Sequence, residues 1–204
     1  MTIDLILSRD VSQPIETGIL PAGMAIHRVN STGDEGFPLL ESLYSSDGFP
    51  PDWARQMLDR GSQAVVVVNE DMPVASALLI RKPYYVQEVR RTFDAGPDAD
   101  YYFGDFVLPA FRGRGLQRLL IRARLELTHR AARRWAMAMT RSGIPASREN
   151  YFAEGFGVAS EVRTCKLARL QLEHHRRINP NLACGTLSGE GLGLRTSYIL
   201  RRAQ

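Results

Sequence analysis

The spacing of apolar residues changes period along the chain, and each change predicts an element. Residues 24–30 (MAIHRVN) alternate weakly and predict a first strand. In 34–46, Phe37, Leu40, Leu43 and Tyr44 fall at helical spacing, and the Gly and Pro residues of 48–51 end that helix. A short second helix covers 53–58 and stops at Gly61. Residues 64–68 (AVVVV), a polar turn at Asn69, Glu70 and Asp71, and a second apolar run over 74–80 predict a hairpin. The stretch 83–100 is a long excursion, acidic at its end and placed to shape a substrate entrance. Residues 101–108 return to strand, and Pro109 closes it. The next helix is the most regular segment, with Leu116, Leu119, Leu120, Ala123, Leu127 and Ala131 on one face and Arg118, Arg122, His129 and Arg133 on another. After it come a strand at 135–140 (WAMAMT), a helix from Pro145 and Ser147 to Gly155, and strands near 162–170 and 196–201 around a loop-like 179–193. Residues 1–23, punctuated by Pro14, Gly18, Pro21 and Gly23, read as an N-terminal extension, which leaves 24–204 as one domain.

This order, strand, two helices, three strands, long helix, strand, helix and a final strand pair, predicts an α/β or α+β sandwich built on a mixed sheet. A chain of 204 residues with 44% hydrophobic and 24% charged positions is long and apolar enough to bury a core, which excludes global disorder. The longest apolar run, 64–68, is far short of the ~20 residues of a membrane-spanning helix, and Asp4 and Arg9 interrupt the opening where a secretory signal would be apolar. No membrane association is expected, and the default compartment is the cytoplasm. The net charge of +4 is too small to announce a nucleic-acid binder, and the basic face of the long helix has no reader motif or aromatic platform beside it. Cys165 and Cys184 form no disulfide framework, and their spacing to His174 and His175 matches no familiar zinc site, so no metal is expected.

Candidate chemistry is concentrated in residues 106–120 (FVLPAFRGRGLQRLL), where a strand ends and a Gly-containing turn feeds directly into the long helix. Such a turn aims backbone N–H groups and the positive end of the helix at an anion. Gly113 and Gly115 permit the positive φ of an anion nest and let a phosphate approach the main chain, while Arg112, Arg114 and Arg118 add charge. Neither a Walker loop nor a GxGxxG dinucleotide fingerprint is present.

The run from Val107 through Arg112, Gly113, Arg114, Gly115 and Leu116 to Gln117 resembles the acyl-CoA-binding motif of the GNAT superfamily of N-acetyltransferases. That motif is Arg or Gln, two residues, Gly, one residue, then Gly or Ala. Gln117 departs from it at the last position; its amide either loosens the packing or donates to a phosphate. A second stretch, 147–156 (SRENYFAEGF), is similar to the family's helix ending in Gly-Phe, with Tyr151 four residues before the Gly. Ile144 stands where the family often has Asn. The resemblance implies a mostly antiparallel mixed sheet flanked by helices and acetyl-CoA as co-substrate. The acceptor would be an amine on a small molecule, a peptide or a protein terminus.

It further implies that Phe106 and Val107 would hold the pantetheine arm through strand backbone, and that backbone from Gly113 to Arg118, including Arg114 and Leu116, would hold the pyrophosphate. Tyr151 would be the general acid. The base is read from the strand itself: strict alternation puts Tyr101, Phe103, Asp105 and Val107 on one face, and Asp105 is the candidate unless a bulge at Gly104 changes the parity. Asp100 and Glu149 are reserves. Two other readings keep the fold: transfer of a longer acyl group from acyl-CoA or acyl-carrier protein, and a non-catalytic CoA sensor. A homodimer is left open.

Overall fold

Val66 and Val68 of one strand pack against two helices on one side of a sheet, while Val65 and Val67 pack against a third helix on the other. That single strand displays the layering of the molecule. The computed structural model describes residues 2–13, 15, 20–46, 48–50, 52–87, 89–167 and 170–189. Its main sheet contains β1 (Thr2–Asp10), β2 (Met24–Val29), β3 (Gln63–Asn69), β4 (Met72–Ile80), β7 (Ala99–Val107), β8 (Trp135–Arg141), β9 (Gly157–Leu167) and β10 (Leu170–Arg177), in the order β10-β9-β1-β8-β7-β4-β3-β2. Every pair in it is antiparallel except β7 with β8. A second sheet joins β5 (Tyr84–Val86), β6 (Arg91–Asp94) and β11 (Thr186–Ser188). The expected mixed, mostly antiparallel α/β architecture is therefore present.

Helix α1 (Phe37–Ser46) buries Phe37, Leu40, Leu43 and Tyr44, the residues whose spacing predicts it, and α2 (Trp53–Asp59) buries Ala54, Met57 and Leu58 on the same side. Helices α3 (Leu116–Arg130) and α4 (Pro145–Ala153) cover the opposite face. There Ile121, Leu125, Tyr151 and Phe156 pack on Leu5, Leu7, Leu79, Tyr102, Ala136 and Ala138. Proline at the start of α4 fits a position whose N–H needs no helical partner. No helix among the described residues is long and apolar enough to cross a membrane.

Several expectations need correction. Residues 2–10, read as part of an extension, form β1, which lies inside the sheet between β8 and β9. Its Leu5 and Leu7 face α3 and α4 while Ile6 faces the second sheet, so burial on both faces replaces the alternation expected of a half-buried strand. Buried Asp4 and Ser8 break the apolar run further, and Asp4 is tolerated there beside Arg141, 3.6 Å away. The excursion 83–100 holds β5 and β6, and the loop-like 179–193 holds β11, which pairs with β6. The final strands are β9 and β10 joined as a hairpin; the strand expected at 196–201 lies outside the described residues. Helix α3 ends at Arg130, so Ala131 is its exposed cap and not part of the buried stripe.

Candidate active site

Strand β7 is central in the sheet, yet only its first half is covered. Residues 99–102 are buried, Gly104 is exposed, and 103 and 105–107 are partly exposed. Two irregularities open it. Its ladder to β8 pairs Ala99 with Trp135 through Tyr102 with Ala138 and goes no further, so residues 103–107 have no β8 partner. Its ladder to β4 slips between Leu78↔Phe103 and Ser76↔Phe106, where β7 carries one extra residue. Gly104 sits at this bulge with φ 65°, and a Cβ there would lie 2.8 Å from Leu78 Cδ1, so conformation and space both require glycine.

The bulge reverses the parity of residues 105–107. Tyr101 and Phe103 pack toward the second sheet, but Asp105 turns to the α3 and α4 side, where Val107 also packs. The face expected from strict alternation, with Tyr101, Phe103, Asp105 and Val107 together, is therefore split. Asp105 and Tyr151, expected as base and acid, meet directly: the Tyr151 hydroxyl donates to Asp105 Oδ2 at 3.0 Å. Beneath them lies Arg124, completely buried, with Nη1 2.6 Å from Asp105 Oδ1 and 3.1 Å from the Leu78 carbonyl exposed by the bulge. Its Nη2 donates to the Tyr151 hydroxyl at 3.3 Å and its Nε to the Leu120 carbonyl at 3.3 Å. The guanidinium also lies 4.7 Å over the Tyr102 ring. Burial opposes the Arg124 charge, but Asp105 outweighs it and holds the pKa above the ordinary arginine value. Burial likewise pushes the Tyr151 phenol up, against the pull of Arg124, so it is a protonated donor across the physiological range.

The turn after β7 has the geometry its sequence predicts. A single 3-10 turn, Pro109–Phe111, leads to Gly113 at φ 77° and Gly115 at φ 76°, and Gly115 caps α3 with no side-chain hydrogen bond. A Cβ at either glycine would meet nothing within 4 Å, so both are required by backbone conformation and face open space. The first N–H groups of α3, beginning at Leu116, have no partner within the helix and point at this space. A surface cavity of about 210 Å³ lies beside it, lined by Pro21, Arg114, Gly115, Leu116, Arg118, Leu119 and Arg122. Arg112 folds back on the Val107 carbonyl at 3.2 Å, and Arg114 lies 4.8 Å over the Phe111 ring. Phe106 and Val107 pair with Ser76 and Ala75 on the β4 side only.

Gln117 does neither thing expected of it. Its Nε2 donates to Asp105 Oδ2 and to Ser147 Oγ, both at 3.1 Å, and its Oε1 accepts from Asn150 at 2.8 Å. It thus ties α3 to both α4 and β7. The Arg118 side chain, expected to add charge at the turn, pairs instead with Glu154 at 2.7 Å beside Arg122 at 2.8 Å. Burial raises the Glu154 pKa, but the two arginines prevail and hold it below the ordinary carboxylate range. The reserve Asp100 is buried against Arg81 and Thr128, which occupies it structurally, while Glu149 is exposed on α4. Ile144 stands exposed at the start of α4.

Sequence reading missed Arg124, Ser147, Asn150 and Glu154. For Arg124 a signal exists: it lies four positions after Leu120 and three after Ile121, within the apolar stripe.

No family model matches the sequence, and no curated protein matches it. Solved structures match the fold. A GCN5-related N-acetyltransferase from Sphaerobacter thermophilus superposes with a TM-score of 0.56 at 14% identity, over 90% of this chain and 54% of that one. The tandem GNAT protein from the clavulanic acid biosynthesis pathway gives 0.55 at 18% identity, over 77% and 50%. A GCN5-related N-acetyltransferase from Kribbella flavida gives 0.52 at 15% identity, over 76% and 54%. The chain spans about half the length of these proteins. A central strand that parts from its parallel neighbour and runs through a two-glycine turn into a helix, in a sheet that superposes on these structures, gives this chain the fold of the GNAT superfamily.

Proposed function

We propose that this protein is an N-acetyltransferase that moves an acetyl group from acetyl-CoA to a primary amine of a small molecule, peptide or protein terminus. The observation that carries the reading is the continuity of β7, turn and α3. A strand edge free beyond Tyr102 leads to open αL glycines and unpartnered helix N–H groups. An extended arm that ends in phosphates needs these groups in this order. The residues fit such a donor, with the pyrophosphate on the N–H groups from Gly113 to Arg118 and the thioester near residues 105–107.

Transfer forms a C–N bond and breaks a C–S bond, and one proton must pass from the amine to the departing sulfur. Asp105 and Tyr151 can complete that passage because they already share a hydrogen bond. Asp105 accepts the amine proton, Tyr151 delivers its own to the thiolate, and the proton on Asp105 returns to the phenolate across the 3.0 Å contact. Both groups end as they began. Arg124 acts as a positioning residue, since it touches both oxygens and neither reactant.

Two expected outcomes test the reading. With acetyl-CoA at ~100 times its dissociation constant, wild type gains about 2.7 kcal/mol, a rise in melting temperature of roughly 5–10 °C. Gly115→Asp still folds, because aspartate tolerates a left-handed cap, but its carboxylate stands where an anion would bind and the shift disappears. A folded wild type whose melting is unmoved by acetyl-CoA would reject the donor. Tyr151→Phe keeps the ligand-induced shift and slows turnover on the order of tenfold, less than for most general acids because a thiol near pKa 8.5 leaves readily. An unchanged rate would remove the phenol from the proton path.

A further inference from the structure

The bulge in β7 has two unlike sides. The α3 and α4 side is polar, with Asp105, Tyr151, Gln117 and Arg124 engaged with one another. The α1 and α2 side is aromatic. Phe49, Trp53, Tyr84, Phe103 and Phe106 are all partly exposed, and all pack against the one core cluster that contains Leu78. Trp53 lies 5.0 Å from Phe49 and 4.6 Å from buried Tyr44, between ring centroids; Phe49 lies 6.1 Å from Phe106, and Tyr84 lies 4.2 Å from Phe103. The edge of the Trp53 indole is 3.7 Å from where a Cβ of Gly104 would stand, so the rings surround the one exposed, side-chain-free position of the strand.

This arrangement exceeds what a core needs. Helices α1 and α2 already bury Leu40, Leu43, Met57 and Leu58 against β3 and β4, and rings used only for packing would be covered as those are. Here five large rings keep part of their faces open beside the residues assigned to the chemistry. Asp105, the carboxylate next to them on the strand, is turned away and paired with Arg124, so it does not offer this side a counter-charge for a polycation. Tyr44 is likewise occupied, with its hydroxyl 3.0 Å from Ser76 Oγ. What the open side offers is π-faces and ring edges, whose partner is another aromatic ring held offset or edge-on.

We infer that the acceptor is an arylalkylamine, its ring held among Trp53, Phe49, Phe103, Phe106 and Tyr84 and its short amine arm reaching past Gly104 toward the thioester. This rests on the acetyltransferase reading and adds the class of amine. An alkyl amine of equal length would leave the rings without a stacking partner, and a polyamine or aminosugar would place desolvated charge against them.

The test compares initial rates of acetyl transfer from acetyl-CoA to 2-phenylethylamine, tryptamine, butylamine, spermidine and kanamycin. The expected kcat/KM for the two aryl amines exceeds that for butylamine by about tenfold or more, the scale one well-filled apolar pocket provides. Trp53→Leu, which keeps an apolar residue at the start of α2, is expected to collapse the aryl-to-alkyl ratio toward one. Equal rates across the panel, or a preference for butylamine, spermidine or kanamycin, would overturn the inference and leave the acetyltransferase reading in place. A second measurement separates the two: 2-phenylethylamine and butylamine are titrated calorimetrically into wild type with and without CoA. Tighter binding of the aryl amine without turnover of any amine would sink the transferase reading and keep the ring site. No binding of the aryl amine in either condition would remove the ring site, whatever the enzyme acetylates.

Discussion

Arg124→Met is expected to destabilise the fold by about 3–5 kcal/mol, because it strands the Asp105 carboxylate without its buried counter-charge. The substitution is close in volume and keeps helical propensity, so α3 itself loses little. What is lost is the guanidinium that meets Asp105, the Tyr151 hydroxyl and the Leu78 carbonyl at once. Urea unfolding tracked by circular dichroism should show a lower midpoint with an unchanged slope. The double variant Arg124→Met with Asp105→Leu should recover part of the loss, since removing both charges avoids a lone buried ion; the Leu78 carbonyl still lacks its donor, so recovery is incomplete. A single-variant cost below about 1 kcal/mol would mean that water reaches Asp105 freely, and that Arg124 does not fix the pair.

The second large effect is alkaline unfolding. Tyr44, Tyr102 and Tyr151 are at most 3% exposed, and burial raises the pKa of each above its ordinary value. In the unfolded chain these phenols lose their protons near pH ~10 while the folded chain retains them. The unfolded state then binds fewer protons, so stability is fully present below that pH and falls as pH rises through it. Each phenol contributes about 1.4 kcal/mol per pH unit, so the three together give a slope of about 4 kcal/mol per unit and a loss of roughly 8 kcal/mol by pH 12. That is comparable to the whole stability of an ordinary domain, ~5–15 kcal/mol. Phenolate absorbance should therefore rise in one cooperative step together with loss of tertiary signal. Smooth titration of all seven tyrosines near pH 10 in a protein that stays folded would contradict it.

The parts of this site that were legible in the sequence are those fixed by local chemistry. Gly113 and Gly115 announce positive φ, the stripe from Leu116 to Leu127 announces a helix, and Pro145 marks where α4 begins. What was not legible depends on register and on distant partners. One extra residue at Gly104 moves Asp105 to the other face, and alternation cannot reveal on which side of the glycine the slip occurs. Arg124 reads as one more basic residue on an Arg-rich helix until Asp105 and Tyr151, contributed by other elements, are brought around it. The same holds for Gln117, a departure from a motif by sequence and a tie between α3 and α4 by structure.

The placement of β1 has a consequence for synthesis. Asp4 pairs with Arg141 on one side and Val162 on the other, so an apolar strand from the start of the sequence has no partner until the ribosome has passed about residue 165. At ~5–20 residues per second, that leaves residues 2–10 waiting for roughly ten to thirty seconds. The middle of the sheet is closed last by the segment made first, so the main sheet cannot be completed during translation of its central strands, and folding is governed by contacts of high sequence separation.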